Sequence, residues 1–133
     1  MKRTPMRSRY RDTGPDRHTE MAVLHRHGYR CARCDAVIVG ERGLDWVLHH
    51  RRPRGAGGSS LPDTNSPANL IPLHGPGADE DCHGHVESHR AEALTFGWLV
   101  RQGADPASVP VLIEHGARRV LLDHDGDMTE VTS

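Results

Sequence analysis

The tetrapeptide Cys31-Ala32-Arg33-Cys34 constrains this chain more than any other stretch of it. Two thiols separated by two residues can grip one Zn²⁺ from a tight turn, and the ion then demands two further ligands from elsewhere. Cys82 is the one other cysteine, and His74, across a Gly-rich loop from it, completes the expected set of four. The same spacing serves thiol redox chemistry. A thioredoxin-like motif, however, lies at the start of a helix after a strand, whereas this one follows a predicted helix and turn. A reduced, metal-free pair of thiols beside a buried Cys82 is the competing reading.

A bound metal would suit the rest of the composition. The chain has 133 residues, enough for one domain, but only 35% are hydrophobic and 4% are Phe, Trp or Tyr. A core built from so little is thin, and a metal that couples binding to folding compensates for it. Three cysteines, an odd number, argue against a closed disulfide framework. No apolar run reaches membrane-spanning length, and the basic start MKRTPMRSRYR lacks the apolar stretch of a secretory signal. The expectation is a cytoplasmic protein with reduced thiols and no membrane contact. Residues 1–54 carry 13 Lys/Arg against 6 Asp/Glu and residues 55–133 carry 4 against 12, opposing surpluses that leave a formal charge of −1. A basic front half points to a polyanion, nucleic acid above all; charge pairing within the fold is the alternative.

Pattern and punctuation give an α+β chain in three parts: a basic flexible arm over 1–15, a core over 16–103, and a small C-terminal β-hairpin extension over 104–133. Asp16 caps a predicted helix over 17–27, with Met21, Val23, Leu24 and His27 facing inward and Gly28 ending it. Ala36–Val39 is a short apolar run and Leu44–His50 reads as a strand. Residues 54–67 are a Gly/Ser/Pro/Asn loop, and Asn69–Leu73 is extended. A helix is expected from Cys82 to about Gln102, packed through Val86, Leu94, Trp98 and Leu99 and weakened at Gly97. Two short strands around His115-Gly116 and a last turn at Asp125-Gly126 close the chain.

Eleven histidines are many for this length, and His is both the commonest metal ligand and the usual base near neutral pH. Two stand side by side in VLHHRRPR, residues 47–54. At a strand end, His49 and His50 point to opposite faces, so they cannot share a role from one direction. They are a surface feature, or one is a metal ligand and the other a base. His85 and His89 share a helix face in an exposed or packing role. His18, His25, His27, His115 and His124 read as surface or packing residues.

CxxC, a strand ending in His-His, a loop containing SPANL, and Cys-His opening a helix follow one another in compact order. HHRRPRG, SPANL and CHGHVESHR together resemble the HNH endonucleases, and especially their small phage and prophage members, over about residues 20–100. The resemblance implies a ββα-metal (HNH, or His-Me finger) core with a zinc knuckle, cutting DNA by a one-metal mechanism. It makes His50 the general base and His49 and His83 ligands of the catalytic metal. Asn69 would brace the loop and orient His50 through its backbone carbonyl. Glu87, one helical turn after His83, is a third ligand or a solvated helix residue.

The chemistry asks for this set. Water must lose a proton near the phosphorus to a group titrating near neutrality, and the leaving oxygen needs a cation. Many family members carry Asp where this chain has His49, a softer ligand that admits Mn²⁺, Ni²⁺ or Zn²⁺ beside Mg²⁺. In the structural zinc set Cys31, Cys34, His74 and Cys82, the histidine replaces a cysteine of the usual four. Arg51, Arg52 and Arg54 would hold phosphates flanking the cut, extended by Lys2, Arg3, Arg7, Arg9 and Arg11 of the arm. The implied partners are DNA and, by analogy with phage members, a terminase subunit. A non-catalytic zinc module that binds DNA or protein is the alternative, and a redox protein using Cys31 and Cys34 is a more distant third.

Overall fold

A computed structural model describes residues 14–53, 63–78 and 80–132. Residues 1–13 of the expected arm, with Lys2, Arg3, Arg7, Arg9 and Arg11, and the loop residue Arg54 lie outside the described residues. What is described is a small mixed α/β protein with three helices and two antiparallel sheets.

Helix α1 spans Arg17–Arg26 and is capped as its sequence dictates, Thr19 N donating to Asp16 Oδ1 at 2.8 Å. Gly28 (φ 65°) and Tyr29 (φ 60°) then turn the chain out of the helix. Val23 and Leu24 are buried, but Met21 is exposed, because the helix docks through a narrow stripe rather than the broader face expected. Arg26 ties α1 to the next layer, donating to the carbonyls of Pro67 at 2.9 Å and Leu70 at 2.7 Å. Among the described residues no helix is long and apolar enough to cross a membrane.

Strands β1 (Trp46–His50) and β2 (Leu70–His74) pair antiparallel, with Trp46 opposite His74 and His50 opposite Leu70. Successive side chains of a strand leave on opposite faces. Trp46, Leu48 and Leu70 join Val23 and Leu24 of α1 on one side; Ile71 and Leu73 enter the larger core on the other. His49 therefore leaves β1 towards the helix that follows β2.

That helix is interrupted. Helix α2 spans Cys82–Ser88 and α3 spans Arg90–Phe96, with His89 (φ −119°, ψ 64°) between them, so the single helix expected to Gln102 is two short ones. Asp81 caps α2, accepting from Gly84 N at 2.7 Å and Ala78 N at 2.8 Å. Gly97 ends α3 at φ 81°, and a Cβ there would lie 1.9 Å from the Pro110 carbonyl oxygen. Backbone conformation and close approach both demand glycine, so the helix stops where the sequence weakens.

The C-terminal extension holds one strand more than the expected hairpin. Strands β3 (Val111–Ile113), β4 (Arg118–Leu122) and β5 (Met128–Glu130) form an antiparallel meander. The polar sequence Met-Thr-Glu of β5 carries no alternation to announce it. Val111, Ile113, Val120 and Leu122 pack in one core with Ile71, Leu73, Val86, Leu99 and the buried Cys31 and Cys82. The β3–β4 turn is left-handed at three successive residues, Glu114 (φ 55°), His115 (φ 57°) and Gly116 (φ 91°). For the first two this costs roughly 1–2 kcal/mol each. The offset is contact with the cysteine turn: Glu114 N donates to the Ala32 carbonyl at 3.1 Å and His115 N to that of Arg33 at 3.0 Å.

Arg51 and Arg52 are not the phosphate-facing residues that their neighbourhood suggested. Arg51 is fully buried: Nε donates to Gly97 O at 2.8 Å, Nη1 to Ala68 O at 2.8 Å and Pro106 O at 3.0 Å, and Nη2 to Val109 O at 2.6 Å. Burial pulls its guanidinium down to about 9, so it remains charged at neutral pH. Arg52, also buried, donates to Ala104 O at 2.9 Å and pairs with Asp63. The donors that matched phosphate are spent on the protein's own oxygens. Arg51→Leu would leave four carbonyls without that donor, and its expected effect is a loss of roughly 3–5 kcal/mol in unfolding free energy. Urea unfolding measures it, and a loss under about 1 kcal/mol would show the guanidinium to be dispensable.

Candidate metal centres

Three segments meet at the thiols. The turn after α1 presents Cys31 and Cys34, β2 ends on His74, and α2 begins on Cys82. Their ligand atoms all lie within 4.8 Å of one another. Cys34 Sγ is 3.4 Å from His74 Nδ1, and Arg33 Nη1 donates to Cys82 Sγ at 3.3 Å. Cys31 and Cys82 are buried, Cys34 and His74 partly exposed. A hydrogen bond from Cys82 holds the Cys31 thiol well below the usual thiol range and pushes that of Cys82 up, so one sulfur readily carries negative charge. Burial raises Cys34. Three soft sulfurs and one imidazole at this separation can bind a metal such as zinc. All three cysteines are free thiols.

A second group, His49, His83 and Glu87, also has its ligand atoms within 4.8 Å of one another. His49 comes from β1, and His83 and Glu87 stand one turn apart on α2. Glu87 Oε2 is 3.7 Å from His49 Nδ1 and 3.9 Å from His83 Nε2. His49 Nε2 lies 2.9 Å from the Trp98 carbonyl, which can only accept, so the proton sits on Nε2 and the lone pair of Nδ1 faces Glu87. The Nδ1 atom of His83 is buried without a hydrogen-bond partner, and a proton there leaves the Nε2 lone pair towards the same carboxylate. His49 thus offers a lone pair beside the carboxylate, and the Nδ1–H tautomer of His83 would offer a second, a donor set that fits a divalent cation. Burial draws His49 down to about 3, so it is neutral, as a ligand must be, across the physiological range.

The two expected organising residues take other partners. His50 is partly exposed, and its Nε2 lies 2.8 Å from Asn65 Oδ1, an acceptor that assigns the proton to Nε2 and the lone pair to Nδ1. Asn69 is fully buried; Oδ1 accepts from Arg52 N at 2.7 Å, and Nδ2 donates to Thr64 O at 2.8 Å and Arg52 O at 3.2 Å. Its side chain thus ties Arg52 to Thr64, and its own backbone carbonyl, expected to orient His50, accepts from Arg51 N at 2.8 Å. Asn65, not singled out from the sequence, is among the residues that touch His50. Its only signal was membership of a polar loop.

A third group joins Asp63, Asp105 and His124. His124 Nε2 is 3.2 Å from Asp105 Oδ1, and Arg52 already neutralises Asp63. No spacing announces it, since the three come from separate loops. His85 and His89 stack at 4.0 Å, and His85 Nε2 pairs with Glu92 at 2.5 Å, a surface arrangement consistent with an exposed role.

Two outcomes follow for these centres. Cys31→Ala is expected to remove zinc from the purified protein and lower its thermal midpoint by at least about 10 °C; metal analysis and circular dichroism melting check it, and an unchanged zinc content and midpoint would contradict it. For His49, the folded value of about 3 lies below the ordinary 6.5 of the unfolded chain, which therefore takes up the proton first as pH falls. The stability it contributes is complete above pH 6.5 and is lost towards pH 3, by up to about 1.4 kcal/mol per unit. Urea unfolding at pH 7, 6 and 5 should show a shallower decline for His49→Gln than for the unchanged chain. No family model matches this chain, and neither a curated protein nor a solved structure matches it.

Proposed function

We propose that the protein is a metal-dependent DNA endonuclease of the HNH type, hydrolysing phosphodiester bonds with one catalytic metal and holding structural zinc in its Cys₃His cluster. The observation that carries this reading is the meeting of His49, His83 and Glu87, from a two-stranded antiparallel sheet and the helix after it, beside a second histidine at the same strand end. His49 and His83 hold the ion and Glu87 is its third ligand. When bound, a divalent cation such as Mg²⁺, Mn²⁺, Ni²⁺ or Zn²⁺ stabilises the charge that grows on the phosphate and the leaving oxygen. His50, its Nε2–H directed to Asn65, takes the proton of the attacking water on Nδ1, a contribution of roughly 10²–10⁴-fold. Asn69 fixes the loop that carries Asn65.

With Arg51 and Arg52 buried, phosphate contacts pass to exposed arginines of the basic half, Arg17 and Arg30 among the described residues. Arg54 and the basic arm belong to the same proposed footprint. DNA is the partner under this reading, with a terminase subunit as the protein partner for a phage-type member.

A second reading, a zinc-holding module that binds DNA or protein without cutting it, draws on one observation. His50 and the His49/His83/Glu87 group lie on opposite faces of β1, and His50 is bonded to a loop residue there. Supercoiled plasmid incubated with each of the four ions, or with EDTA, separates the two. The expected outcome is metal-dependent relaxation or linearisation, reduced at least about 100-fold in His50→Ala with DNA binding unchanged. Binding without cutting under every ion would favour the module; full activity in His50→Ala would remove His50 from the mechanism.

A further inference from the structure

The two metal clusters are neighbours joined by more than proximity. Cys82 belongs to one and His83 to the other, consecutive residues in the first turn of α2. A second connection runs through side chains. Arg33, between the two cysteines of the turn, donates to Cys82 Sγ at 3.3 Å, and its guanidinium lies 5.3 Å from the centre of the Trp98 ring. That ring is pinned at its far edge, Nε1 donating to Leu112 O of β3 at 2.8 Å. The carbonyl of the same residue, 2.9 Å from His49 Nε2, selects the tautomer that turns the Nδ1 lone pair to Glu87.

We infer that Arg33 is a positioning residue linking the clusters: a metal held by the thiols fixes Arg33 on Trp98, and Trp98 in turn holds His49 ready to ligate the second ion. The inference rests on the proposed reading of His49, His83 and Glu87 as a metal centre. Coupling of this kind is reciprocal, so each ion strengthens the hold on the other. Oxygen- and imidazole-preferring Mn²⁺ is the suitable probe, since it does not displace zinc from thiolates.

The test uses the zinc-loaded full chain, with free Mn²⁺ read by electron paramagnetic resonance and the His49 tautomer by ¹⁵N nuclear magnetic resonance. Arg33→Met should keep its zinc, weaken Mn²⁺ binding roughly tenfold, and mix the His49 tautomers. Arg33→Lys, which returns a cation above the ring, should recover most of the affinity. Unchanged Mn²⁺ affinity and an unmixed tautomer in Arg33→Met would overturn the coupling. Should Arg33→Met lose its zinc, Trp98→Phe decides instead. It leaves the cysteine turn intact, removes the bond to Leu112 and shrinks the ring under Arg33, so a weakened Mn²⁺ site with mixed His49 tautomers supports the link and an unchanged one refutes it. If the unsubstituted protein takes up none of Mn²⁺, Ni²⁺ or a second equivalent of Zn²⁺, the metal-centre reading itself fails, an outcome distinct from an intact site indifferent to Arg33.

Discussion

One buried guanidinium decides how the two halves of the chain sit together. Arg51 follows β1 and sends its donors to the carbonyls of Ala68, Gly97, Pro106 and Val109, which belong to the entry of β2, the end of α3 and the turn before β3. Its own backbone completes the clamp, Val100 N donating to Arg51 O at 2.7 Å and Arg51 N to Asn69 O at 2.8 Å. Planar, always charged and carrying five donors, Arg suits a site that offers scattered oxygens and little apolar surface. In a chain with few aromatics, directed polar bonds replace part of what a larger core would supply. Segment 97–100 is thereby held along the end of β1, and the Trp98 carbonyl comes within reach of His49 as a consequence.

Much of the candidate site was legible because its chemistry is local in sequence. CxxC, His-His and Cys-His are pairs whose spacing fixes geometry over a few residues: both cysteines of the first, His49 of the second and each member of the third reached a cluster, while His50 stands on the other face of β1. The arginines were misread for the opposite reason. Arg51-Arg52 before a proline looks the same whether it faces solvent or interior. Only the return of residues 97–109 over it, which no local pattern encodes, decides the matter. Asn65 carries no signal because it acts through an amide in a polar loop, and Trp98 reads only as a packing residue because it acts on His49 through a main-chain oxygen that every residue possesses. The helix ends at Gly97, where the sequence weakens it, but its interruption at His89 is not legible, since nothing nearby resembles a breaker. Strand β5, polar and three residues long, is a strand only because β4 stands beside it.

Under the proposed reading, a division of labour between the clusters would follow from their ligands. Three sulfurs, two of them buried, and one imidazole suit Cys31, Cys34, His74 and Cys82 to an ion closed off by its protein donors. His49, His83 and Glu87 supply only three donors, and Glu87 is exposed, so an ion there would keep positions open to solvent or substrate. The neutral state of His49 serves both possibilities, since an imidazole that never charges near neutral pH adds no repulsion towards an incoming cation.

The left-handed turn at Glu114–Gly116 bears on the order in which this molecule comes into being. Its amides satisfy the carbonyls of Ala32 and Arg33, so the cysteine turn, local as it is, has its outer oxygens covered only when a far later part of the chain arrives. Cys82 and His74 are likewise distant from the two cysteines they join. On a ribosome the first pair of thiols would emerge long before the remaining ligands and the covering strand. Closing such long loops precedes any reward from the contacts they make. Capture of a metal by all four ligands would thus wait for Cys82, and the covering C-terminal sheet arrives later still. Before His74 emerges, two sulfurs alone would be there to hold an ion.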